Sequence, residues 1–174
     1  MKYMLKSGGL YKGNDLLAYI KSDFIRSEKK IFSIDGSLLF QANICHLDAP
    51  SKSKEDVRFH QYVLTDTKGT TYAKAHPDYS TKDNPDIYGW PVCRMPKVDH
   101  ARIQMSGNKY DLSMQDNQHY TFQKENGEKL IQISHRGLSG GWTIEATEDM
   151  RPEIICGIFI FCRYIEQENE FFIV

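Results

Sequence analysis

The sequence predicts a mainly β protein, an antiparallel barrel or sandwich, with one buried helix close to its C-terminus. Three observations carry this reading. Turn dipeptides recur between short β-prone runs; everything before residue 150 falls into such punctuated segments; and the run "IICGIFIFC", Ile154 to Cys162, holds no charge and no side-chain amide. The 174 residues are 40% hydrophobic and 26% charged, the mixture of one compact domain with a real core, so a single domain over 1–174 is expected.

The first clear hairpin is "KKIFSIDGSLLFQANI", where Asp35-Gly36 separates two β-prone runs. Asp-Gly is a strong hairpin cue because both residues tolerate positive φ. "QYVLTDTKGTTYAKA" repeats the layout around Asp66 and Gly69, "ARIQMSGNKYDLSM" turns at Ser106-Gly107-Asn108, and "YTFQKENGEKLIQISHRG" turns at Asn126-Gly127. "LSGGWTIEA" adds a Gly-Gly turn and one more strand, Trp142 to Ala146. Counting these runs gives about nine to eleven strands before the final segment, an antiparallel pattern. Two stretches interrupt it: "LDAPSKSKEDVR" from Leu47, and the Pro-rich "HPDYSTKDNPDIYGWPVCRMPKVD" from His76. Long loops in a compact domain often bind something.

The apolar run is too short to span a bilayer, which takes about 20 apolar residues. Its length and lack of alternation argue against a strand. Helix punctuation is present: Thr147 or Asp149 to cap, Pro152 for the first turn, and Glu148, Asp149 and Glu153 for the positive end. A helix over about 150–165 that is apolar on every side must be surrounded by protein. A barrel closed around it meets that demand, and each buried Ile or Phe then contributes about 1.5–3 kcal/mol.

This order of elements resembles the tubby C-terminal-like superfamily, which includes tubby proteins, phospholipid scramblases and plant LURP-one-related proteins. The units "IFSIDGSLLFQA" and "YVLTDTKGTTYA" resemble its strand-Asp-x-x-Gly-strand pieces. The ending "GEKLIQISHRGLSGGWTIEATEDMRPEIICGIFIFCRYIE" is similar to its final hairpin, strand and hydrophobic helix. The resemblance spans about Met4 to Glu166 and implies a closed barrel of about twelve antiparallel strands threaded by the helix. The chain lacks a calcium loop of the D-x-[DN]-x-[DN]-G form, so scrambling is not carried over. In size it is similar to the short single-domain members.

The resemblance also implies binding of anionic phospholipid head groups through clustered Lys and Arg. The candidates are Arg26, Lys29 and Lys30 on one hairpin, and Lys52, Lys54 and Arg58 in the loop after it. The alternative is a protein-interaction module using Tyr79, Tyr88 and Trp90 in the loop 76–100, since Tyr and Trp anchor interfaces. His135 and Arg136 before Gly140-Gly141 are candidates for a small anion nest.

No catalytic residue is assigned. GxSxG, HExxH and the Walker glycine loop are all missing, and Ser134 and His135 are strand neighbours that point to opposite faces. Neither a cofactor nor a metal is expected: Cys45, Cys93, Cys156 and Cys162 form no CxxC pair, and His46 beside Cys45 is the one tempting metal pair. Lys and Arg number 22 against 23 acidic residues, a net charge of -1, so no global field favours nucleic acid. The opening "MKYMLKSGGLYKG" lacks the apolar core of a secretory signal, and the expected location is cytoplasmic, at most peripheral to a membrane.

Overall fold

The computed structural model describes residues 1–22, 27–47, 59–78, 98–116 and 118–169. It is a closed antiparallel barrel of twelve strands with one α-helix. The strands are β1 (Lys2–Lys6), β2 (Gly9–Lys12), β3 (Asp15–Ser22), β4 (Lys29–Ser33), β5 (Leu38–His46) and β6 (His60–Asp66). They continue as β7 (Thr71–Asp78), β8 (His100–Met105), β9 (Asn108–Asp116), β10 (His119–Lys124), β11 (Lys129–His135) and β12 (Trp142–Ala146), and α1 (Pro152–Asn169) follows. Each strand pairs with its sequence neighbours, and the ring closes where Lys2 faces Glu145 and Leu5 faces Trp142.

Three hairpins share one turn. In each, the first residue's N–H and C=O bind the fifth and fourth residues: Ser33 with Ser37 and Gly36, Asp66 with Thr70 and Gly69, Lys124 with Glu128 and Gly127. Only the glycine takes positive φ, +87° at Gly36, so Asp35 does not adopt the left-handed conformation expected of it. Its carboxylate instead accepts from the Ser37 N–H at 2.9 Å, which stabilises a three-residue loop rather than a two-residue one. The two-residue form with two positive φ values occurs at Ser7-Gly8 and Ser106-Gly107.

The helix fills the barrel. Its residues Ile154 to Cys162 are all buried, as are Tyr164 and Ile165. Partners lie on opposite sides of the ring: Trp142 of β12 meets Phe159 at 5.4 Å between ring centroids, and Tyr62 of β6 meets Tyr164 at 5.3 Å. Small inward residues make room for it, with Ala18, Ala42, Ala73, Ala75 and Ala101 all buried.

α1 starts two residues later than expected and ends one turn further on. Pro152 takes the first helical position as anticipated, but Arg151 precedes it, and Thr147 and Asp149 lie upstream in the turn after β12. The capping residues named from the sequence are therefore displaced: the Arg151 carbonyl accepts from the N–H groups of Ile154 and Ile155. His76, Pro77 and Asp78, read as loop, belong to β7, because Pro77 pairs with Ala101 near the strand end, where a missing donor costs little.

Two tests follow from this enclosure. A chain ending at Asp149 should give no cooperative thermal transition, and a soluble, cooperatively melting truncation would refute the central role of α1. A Cβ at Gly157 would lie 2.9 Å from Leu64 Cδ2. Gly157→Val should therefore destabilise the fold by about 1–3 kcal/mol in chemical denaturation.

Candidate functional site

An up-and-down barrel has two unlike ends. Tight turns at 13–14, 34–37, 67–70, 106–107 and 125–128 crowd the end where α1 enters. The other end carries the turn 7–8, the loop 136–141 and the strand ends Ser22, Lys29, His46, His60, Asp78, His100, Asp116 and His119, and there α1 leaves the apolar interior. The helix becomes polar at that mouth, and the rim binds it. Glu168 meets His60 Nδ1 at 3.0 Å, and Glu166 accepts from the Tyr120 hydroxyl at 2.9 Å. Asn169 pairs with both backbone groups of Val98, at 2.9 and 2.8 Å. The Tyr164 hydroxyl donates to the Ala42 and Ser27 carbonyls.

The rim is divided by charge. Along the contiguous arc β11–β12–β1–β2–β3–β4 stand Arg136, Lys6, Lys21, Lys29 and Lys30, and Glu28 is the single acid placed among them in the described residues. The arc β7–β10 carries Asp78, Asp99 and Asp116, each with a basic partner: Arg102 at 3.1 Å, His100 at 2.7 Å and His119 at 2.6 Å. Among the described residues, the rim's lysines and Arg136 therefore gather on one side, and the aspartates with their Arg and His partners on the other.

Lys29 and Lys30 were both named from the sequence, and the strand sends them to opposite faces. Lys29 shares its side with buried Ile31 and lies 6.0 Å from the centroid of the Tyr164 ring. Burial, and then the Arg163 guanidinium, hold its pKa below the ordinary lysine value. Lys30 faces outward, 3.0 Å from Glu28, and is paired in register with Lys21. Lys21 Nζ sits 5.3 and 5.2 Å from the ring centroids of Tyr19 and Phe32, which stack on each other at 5.3 Å. The result is a basic patch with an aromatic floor on the outer face of β3 and β4.

Arg26, Lys52, Lys54 and Arg58 lie outside the described residues, as do Tyr79, Tyr88 and Trp90. Lys6 and Lys21 were not singled out from the sequence. Their positions, 6 and 21, reveal nothing until β1, β2 and β3 are laid side by side. Arg136 and His135 do not form the anion nest considered above. The Gly140 N–H donates to the Gly137 carbonyl and the Gly137 N–H to His135 Nδ1, so these groups close the turn on itself.

A groove of about 660 Å³ crosses the outer face of β8–β10, lined by His76, Arg102, Lys109, Asp111 and Glu125 among others. Its charges are mixed: Arg102, Lys109 and Lys124 share the lining with Asp111 and Glu125, and Arg102 is paired with Asp78 and Lys124 with Glu128 at 2.9 Å. It offers shape without a dominant sign, and the cationic arc is the better candidate site. His46 and His60 meet edge to face at 4.4 Å, yet no group of three metal-ligating side chains converges among the described residues. Nor is any helix there long and apolar enough to cross a membrane.

Comparison with models of protein families finds no match, and comparison with curated proteins finds none. Among solved structures, the chain is similar to an Arabidopsis thaliana protein determined by X-ray crystallography. The TM-score is 0.38 and the identity 10%, over 94% of this chain and 89% of that one. At that TM-score the likeness carries no argument, and the fold assignment rests on the strand pairing itself.

The Asp99–His100 pair of the β7–β10 arc has a measurable pH signature. The hydrogen bond that the His100 ring donates to the Asp99 carboxylate, against the opposing effect of burial, raises the pKa of His100 above its ordinary 6.5. A raised histidine stabilises the fold fully below the unfolded value and loses that contribution as pH climbs through the folded one. The stability gap between wild type and His100→Gln should thus be wider at about pH 5.5 than at about pH 8.5 in urea titrations. A gap that grows with pH would contradict the pairing.

Proposed function

We propose that this protein is a non-enzymatic binding domain of the tubby C-terminal-like kind, related to LURP-one-related and scramblase-like proteins, whose cationic rim docks on anionic phospholipid head groups. It would act at the cytoplasmic face of a membrane as a peripheral protein. The observation that carries this reading is the gathering of Lys6, Lys21, Lys29, Lys30 and Arg136 on one arc with a single described carboxylate, Glu28. An anionic surface can meet Lys6, Lys21, Lys30 and Arg136, while Lys29 backs them from the inner face. Each cation brought near such a surface contributes about 1 kcal/mol of attraction.

Two further features favour a surface ligand over an enclosed one. The interior is occupied by α1, so contact falls to the rim and the outer face. The Tyr19–Phe32 stack beneath Lys21 suits a membrane interface, where aromatic rings and long basic side chains are at home.

The test is co-sedimentation with neutral phosphatidylcholine vesicles and with vesicles containing phosphatidylserine. Capture should be confined to the anionic vesicles and fade as salt shortens the Debye length from about 10 Å at 0.1 M to about 3 Å at 1 M. The double variant Lys21→Glu, Lys30→Glu should lose capture by about tenfold or more, while Lys109→Glu on the groove of β8–β10 should keep it. Equal capture of neutral vesicles, or none at low salt, would overturn the reading and leave a protein partner for the rim.

A further inference from the structure

The connection between β11 and β12 projects a leucine into solvent. Leu138 sits in a single 3-10 turn, Gly137–Ser139, and its relative exposure of 109% means that no described residue shields it. Exposed leucines are common singly, but this one has a specific setting. A Cβ added at Gly137 or Gly140 would meet nothing within 4 Å, so the tip stands clear of the barrel wall. Its base is the reverse. The Arg136 N–H donates to the Gly141 carbonyl at 3.0 Å, and a Cβ at Gly141 would lie 2.7 Å from the Leu5 carbonyl oxygen, which presses the base against β1. The tip is therefore held out by a closed, packed stem.

The stem lies inside the cationic arc. The same Cβ at Gly141 would be 3.4 Å from Lys6 Cβ, which places Lys6 beside the loop, and Arg136 begins it. An apolar tip bracketed by two cations matches the layering of an anionic bilayer, with hydrocarbon beneath charged head groups.

We propose that Leu138 is a membrane-dipping tip that enters the acyl boundary while Lys6 and Arg136 stay with the head groups. This rests on the lipid reading above and adds an apolar component to it. Its partner is an intact bilayer, since a soluble head group offers the leucine nothing.

The experiment compares wild type, Leu138→Ala and Leu138→Asp on vesicles of phosphatidylcholine with phosphatidylserine, at low and at high salt. Leu138→Ala should partition about tenfold less than wild type and Leu138→Asp less still. Melting temperatures should not move, because the side chain is fully exposed. High salt should leave a residual capture of wild type that Leu138→Asp abolishes. Equal capture of all three would overturn the proposal, leave the tip to a protein partner and spare the lipid reading. Absence of wild-type capture at low salt would bring down both.

Discussion

An apolar helix that presents no polar side must be wrapped, and a twelve-stranded ring has a lumen that must be filled. Each solves the other's problem here. The inward alanines of β3, β5, β7 and β8 set the bore to the width of a helix, and the isoleucines and phenylalanines of α1 occupy it. Gly157 marks how closely the two are fitted, since the Leu64 side chain takes the place that a Cβ there would need. The polar chemistry of the molecule is consequently displaced to the ends and the outer wall.

The mouth shows how that displacement is managed. The carbonyl end of a helix is its negative pole, and the last turn of α1 holds no basic residue of its own. The strands instead hold that end through side-chain contacts: His60 meets Glu168, and Lys29 approaches the Tyr164 ring from β4. Lys29 bears the cost as a partly desolvated ammonium, while Lys21 and Lys30 on the outer face remain accessible. Charge separation around the rim follows from strand order alone, because residues distant in the chain become neighbours when the ring closes.

Much of the fold was legible because its signals are local. Glycine punctuation marks hairpins wherever a turn demands positive φ, and "IICGIFIFC" declares burial without any partner being known. The turn geometry was less legible, since Asp35-Gly36 satisfies either a two- or a three-residue loop, and the strand stagger chooses between them. The helix cap was misplaced because Thr147 and Asp149 carry the side-chain acceptors that cap helices, whereas Arg151, which directly precedes Pro152, carries none. The candidate site was hardly legible at all. Lys29 and Lys30 look like a cluster in the sequence and are split by the strand, whereas Lys6, Lys21 and Arg136 look unrelated and are joined by the ring.

The seam between β1 and β12 has a consequence for how the molecule is made. Lys2 faces Glu145, so β1, made before all the other strands of the ring, waits for β12 before its edge is covered. The helix that fills the lumen emerges later still. During synthesis the chain is an open, unfilled sheet with an unpaired edge, a state prone to sticking to its neighbours. Contacts of such sequence separation also close slowly. Translation therefore delivers the core after its container, and the newly made barrel depends on whatever shields that edge until β12 and α1 arrive.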